Sequence, residues 1–207
     1  NLRTISNNDM DKNYNLLEPI GHIYTLDEVV KGSCSDSSIS PVRKHCWREV
    51  NFSRLFADEW EDFERLMLDT MESAKGIGLA ANQLGFTYRA FAMDTEEHWG
   101  VIYNPEIIKF SDTKTQDFEG CLSIPDKVGL ISRFDWIDVK YEVAPHGMKV
   151  NRHFKGLSAR VFQHELDHLN GVVISDYWTD NEAWAYISEL KETWEGYDDL
   201  GLTQTTL

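Results

Sequence analysis

His164-Glu165-Leu166-Asp167-His168 places two imidazoles four residues apart, with a carboxylate directly after the first. On a helix these positions stand one turn apart on one face, so both imidazoles can grip one divalent ion while Glu165 reaches a water beside it. That is the geometry of a metal-dependent hydrolase. The plainer alternative, two solvated histidines on a charged helix face, fits poorly because Leu157 to Leu169 is apolar on several sides.

A catalytic metal site needs a third protein ligand and an open position for water. The extended H-E-x-x-H-x-x-G-x-x-H form is absent, because Ile174 stands where its third histidine would be. Glu182 and Glu189 are downstream carboxylates. Upstream, Cys121 sits in Glu119-Gly120-Cys121-Leu122-Ser123, where the glycine lets backbone approach a metal closely. Spacing alone leaves Cys121, Cys46, Cys34 and Glu189 open as the third ligand. A further cluster, Gly76-Ile77-Gly78-Leu79-Ala80-Ala81-Asn82-Gln83, lacks the Lys-Ser/Thr ending of a P-loop and the third glycine of a dinucleotide fingerprint. By itself it reads as a tight small-residue turn.

Taken together, the three clusters resemble the peptide deformylases. Residues 76–83 are similar to that family's first motif, 119–123 to its second and Gln163 to His168 to its third, in the same order. The likeness extends through Gly156 to Val161 and spans roughly Phe52 to Trp178. It implies hydrolysis of the N-formyl group from the formyl-methionyl end of nascent polypeptides, releasing formate. It further implies Cys121, His164 and His168 as metal ligands and Glu165 as general base and acid. Gln83, through its side-chain amide, and Leu122, through its N–H, would hold the developing oxyanion. Gly76, Ile77, Gly78, Leu157 and Val161 would contact the substrate, with Ile77, Leu157 and Val161 lining the methionine pocket. One divalent ion per chain is implied, ferrous iron as the native one, in a site that also accepts zinc, nickel or cobalt. The chain departs from the family's pattern at Asn82, where many members have proline, and in its Ser-rich stretch before the first helix. Two other readings are a zinc endopeptidase using Glu182 or Glu189, and a deformylase-like binding module. The complete set of Gln83, Cys121, His164, Glu165 and His168 argues against the latter.

The elements that must position these groups follow from periodicity. Phe56, Trp60, Phe63, Met67, Met71 and Ala74 recur at helical spacing, predicting a core helix over Phe52 to Ala74 that Gly76 ends with a positive φ. Tyr88 to Met93, Val101 to Tyr103, Trp136 to Val143 and Met148 to Phe154 read as strands, the last two joined by a turn at Ala144 to Gly147. Leu157 to Leu169 reads as a central buried helix, Val172 to Ile174 as a short strand and Asn181 to Trp194 as a final helix. The expected fold class is α+β, with antiparallel strands around the helix that bears H-E-x-x-H. The 207 residues divide into an amino-terminal extension 1–51, a catalytic core 52–178 and an acidic tail 179–207 within one domain.

Apolar residues are 42% and charged residues 27%, a globular composition. A net charge of −15 opposes binding to nucleic acid or anionic lipid. From Asp180 onward seven acidic residues face the single Lys191, so docking of the tail on ribosomal RNA is not expected. The three cysteines form no C-x-x-C pair, and no apolar run approaches the roughly 20 residues that span a bilayer. The polar stretch Asn1 to Asn15 lacks the order of a signal peptide, so a reducing cytoplasmic setting is the expectation.

Overall fold

The computed structural model describes residues 21–25, 40–43, 46, 49–52, 57–178 and 184–186. Helix α1 (Ala57–Ser73) presents Trp60, Phe63, Met67 and Met71 as a buried stripe. Phe56 lies outside the described residues. The helix ends in a Schellman motif, with the Gly76 N–H donating to the Met71 carbonyl and the Lys75 N–H to Glu72. The positive φ of 57° falls on Lys75 and not on Gly76, because the left-handed residue of this motif is the one before the six-to-one donor.

Seven strands follow: β1 (Gly78–Ala80), β2 (Ala90–Thr95), β3 (His98–Phe110), β4 (Lys114–Cys121), β5 (Ile124–Phe134), β6 (Trp136–Val143) and β7 (Met148–Lys155). Helix α2 (Gly156–Leu169) comes next, and β8 (Trp184–Tyr186) is the last described strand. All pairings are antiparallel, in a five-stranded sheet of order β1-β2-β3-β6-β7 and a three-stranded sheet of order β4-β5-β8. The fold is α+β. The β6–β7 hairpin pairs Val143 with Met148 across the expected turn.

Alternation within β2 and β3 explains why both faces of the larger sheet are buried. Phe91, Met93 and Ile102 pack with Phe154, Val161 and Phe162 on the α2 side. Ala90, Ala92, Val101 and Tyr103 pack with Trp60, Phe63 and Met67 of α1 on the other. Helix α2 also contacts β5 of the smaller sheet, so it lies against strands of both sheets.

Two expectations are corrected. Val172 and Val173 are not a strand, and Ile174–Tyr177 forms a 3-10 turn whose start is tied by the Asp176 carboxylate accepting the Val173 N–H. Within the helix expected over Asn181 to Trp194, residues 184–186 are instead strand β8, paired to β5 through Val128 and Ala185. An open strand edge supplies hydrogen-bond partners that a helical reading of the same residues ignores. The other residues of that span lie outside the described ones.

Candidate metal centre

Cys121 ends β4, and His164 and His168 come from α2, whose last turn runs beside it. Their ligand atoms lie within 4.8 Å of one another, and all three residues are buried. Cys121 Sγ stands 3.2 Å from His168 Nε2, and the two imidazole centroids are 4.9 Å apart. The sequence motif thus closes with Cys121 as the third member. Cys46 lies elsewhere, its thiol facing the Phe86 carbonyl at 3.7 Å, while Cys34, Glu182 and Glu189 lie outside the described residues.

The donor set fits a divalent ion on several counts. His164 Nε2 is buried and without a hydrogen-bond partner among the described residues, and so are both oxygens of Glu165. Such orphaned polar atoms are costly unless something pairs with them. A thiolate with two imidazoles suits zinc or ferrous iron, and three protein ligands leave a position for water. Burial pushes the Cys121 thiol up to about 12, against the N–H groups of Ser123 and Ile124 that favour its thiolate. A coordinated cation reverses that balance, since a thiol bound to such an ion is deprotonated.

Glu165 is wholly buried, and burial, reinforced by the Glu119 charge, raises its carboxyl well above the usual range. Burial likewise lowers His168, with the neighbouring His164 adding to the effect. Gly78 of β1 lies against Glu165: a Cβ there would stand 2.2 Å from Glu165 Oε1. The glycine is needed for the approach itself.

Gln83 occupies the Ala81–Leu84 3-10 turn, 1% exposed. Its Oε1 accepts the Ala80 N–H at 2.7 Å, which turns Nε2 toward Ser123 Oγ at 3.1 Å and Cys121 Sγ at 4.0 Å. The amide therefore points its hydrogens toward Ser123 and the Cys121 thiol. Leu122 lies with Ser123 in the two-residue turn between Cys121 and Ile124, which pair across it.

The substrate-side residues divide. Gly76 is buried, and Ile77 packs against the core cluster that contains the fully buried Val161. Leu157 stands apart from them, 57% exposed, at a cavity of about 370 Å³ that Phe134, Asp117 and Arg160 also line.

Sequence reasoning assigned no role to Glu119, although a carboxylate two residues before Cys121 on a strand must share its face. The Glu119 side chain accepts from His164 Nδ1 at 3.0 Å, from Arg133 at 2.9 Å through both oxygens and from Arg160 Nη1 at 2.6 Å. Burial alone would raise its carboxyl, but the hydrogen bonds from His164 and Arg133 and their charges hold it well below the carboxylate range. Donating from Nδ1 to Glu119 leaves the His164 Nε2 lone pair for the metal side. Arg133 also pairs with Asp167, which accepts the Tyr177 hydroxyl at 2.7 Å. Nothing in their spacing marked Arg133 and Arg160 as partners of Glu119.

A family model for polypeptide deformylase matches residues 41–184. A peptide deformylase of Thermotoga sp. (strain RQ2) is 41% identical over 121 residues, 58% of this chain and 73% of that protein. The crystal structure of the Thermotoga maritima peptide deformylase aligns with a TM-score of 0.65 at 34% identity, covering 76% of this chain and 96% of that one. The Synechococcus elongatus peptide deformylase, solved in complex with actinonin, aligns at 0.65 with 30% identity over 96% of this chain and 95% of that one.

Proposed function

Because the chain belongs to the polypeptide deformylase family, whose activity is metal-dependent deformylation of N-formyl peptides, we propose that it performs this reaction through Cys121, His164, His168, Glu165, Gln83 and Leu122. The observation that carries the assignment is the buried Cys121, His164 and His168 cluster beside a Glu165 with both oxygens unpartnered among the described residues.

Cys121, His164 and His168 hold the ion. When bound, a divalent ion supplies Lewis-acid polarisation and makes water acidic enough to attack near neutral pH. Glu165 takes the proton of the attacking water, and its burial, reinforced by the Glu119 charge, favours keeping that proton. As charge grows on the former formyl oxygen, the Gln83 amide and the Leu122 N–H donate to it, each such donor contributing about 3 to 4 kcal/mol. Protonated Glu165 then returns its proton to the leaving amine, giving formate and a free amino terminus. Glu119 holds the His164 ring throughout.

Ferrous iron is the proposed native ion, with zinc, nickel or cobalt as substitutes. The methionine side chain is assigned to the Gly76-Ile77-Gly78 and Val161 region, from which Leu157 stands apart; burying it should contribute about 1.5 to 3 kcal/mol. The catalytic core is assigned to residues 52–178, in the cytoplasm where formylated nascent chains arise. Among the described residues no helix is long and apolar enough to cross a membrane. The acidic tail is assigned no ribosome-docking role.

Protein loaded with iron without air should release formate from a formyl-methionyl peptide and prefer it to a formyl-glycyl one. Internal cleavage of an unformylated protein, with no formate, would favour the endopeptidase reading instead.

A further inference from the structure

Asn82 precedes the oxyanion-side glutamine and is 1% exposed. Its side-chain amide nitrogen donates to two main-chain carbonyls, His168 at 2.6 Å and Val42 at 3.1 Å. The two hydrogens of one NH₂ group therefore join three separate segments. The His168 carbonyl lies in the last turn of α2, where carbonyls lack intrahelical partners, and it also accepts the Gly171 N–H at 2.9 Å. Neighbouring main-chain bonds follow the same course: the Tyr24 N–H donates to the Gln83 carbonyl at 2.8 Å and the Cys46 N–H to the Leu169 carbonyl at 2.7 Å. Gln83 is thus fastened to the stretch 21–25 and the end of α2 to Cys46, while Asn82 ties its own turn to α2.

We propose that Asn82 is a positioning residue that fixes the Gln83 amide relative to His168, and so sets where oxyanion donor and metal ligand stand with respect to each other. This rests on the reading of Gln83 as an oxyanion donor. The bridge needs a side chain with two hydrogens on one planar nitrogen. An aliphatic residue leaves two buried carbonyls short of a donor, aspartate sets acceptor against acceptor, and proline offers neither hydrogen. The placement matters because a shift of about 1 Å in such a constellation can cost on the order of 100-fold in rate.

A double-mutant cycle tests the coupling, using the iron-loaded full chain and a formyl-methionyl peptide. Asn82→Ala should lower kcat by about tenfold or more with KM within about twofold, the pattern of a lost transition-state interaction. Gln83→Ala should lower kcat by about 10²- to 10³-fold. If Asn82 acts through Gln83, the double variant falls within about threefold of Gln83→Ala alone. Zinc affinity, read by competition with a chromophoric chelator, should be about tenfold weaker in Asn82→Ala, because the His168 carbonyl keeps the Gly171 N–H but loses the bond that ties it to the Gln83 turn. Losses that multiply in the double variant, or unchanged zinc affinity, overturn the proposal. Should Asn82→Ala fail to fold, Asn82→Ser, which keeps one donor, runs the same cycle and must show a smaller loss with the same non-additivity. A wild type that binds zinc but yields no formate removes the deformylase reading and this proposal with it. An active wild type with multiplied losses removes the proposal alone.

Discussion

An alanine methyl at residue 78 would fall 2.2 Å from Glu165 Oε1 and 2.8 Å from its carboxyl carbon. The backbone of β1 and the Glu165 carboxyl group therefore occupy adjoining space with no room for a side chain. Gly78→Ala must push the carboxylate aside. We expect kcat for deformylation to fall by about tenfold or more with metal content retained; an alanine variant with wild-type turnover would show that Glu165 need not stand where it does.

The ligand set makes a second expectation. Cys121→Ala should lose bound zinc on dialysis, whereas Cys46→Ala, whose thiol faces a main-chain carbonyl away from the site, should keep one ion per chain. Metal analysis of the purified variants decides it, and equal content in both would move the third ligand elsewhere.

Glu119 is expected to act on metal affinity through His164. Glu119→Gln removes a carboxylate that accepts from His164 and is held by Arg133 and Arg160. Zinc should bind about 10- to 100-fold more weakly, the usual cost of losing a partner that orients a ligating histidine. An unchanged dissociation constant would show that His164 is oriented without it.

Much of the site was legible locally. His164 and His168 are spaced for one helix face, and their types state the chemistry before any fold is known. Cys121 is 47 residues from His168, and only the likeness of its surrounding motif to a known family singled it out. Strands β4 and β5 were not legible. Lys114–Cys121 points exposed polar residues outward and a buried ion-paired Glu119 inward, which removes the apolar alternation. Ile124–Phe134 carries Pro125 and Gly129, both of which read as turn signals. Gly129 is there because Trp178 packs on it, its indole nitrogen 1.9 Å from where a Cβ would stand. The same open edge of β5 makes a strand of Trp184–Tyr186. These outcomes depend on partners distant in sequence, which a local pattern does not carry.

A pH expectation comes from His98, away from the metal centre. Its ring sits between Tyr141 and Phe154, with Nε2 buried and unpartnered among the described residues. Burial, then the nearby Arg152 charge, lowers its pKa against a smaller opposing hydrogen bond with the Gly100 backbone. The folded state therefore resists the proton that the unfolded chain accepts below about pH 6.5. Stability should fall as pH drops below that value and level off under the folded pKa. Urea midpoints at pH 7.5 and 5.5 should differ less in His98→Phe than in the wild type. A pH dependence identical in both would discount the histidine.

The most direct measurement is formate release by Glu165→Gln compared with the wild type, each carrying one metal ion per chain. Glutamine keeps the shape of the buried side chain but cannot take a proton from water or return one to the amine. The account predicts a fall in kcat of at least about 100-fold, since general acid–base help is typically worth 10² to 10⁴. A metal-loaded variant that releases formate at close to the wild-type rate would contradict it.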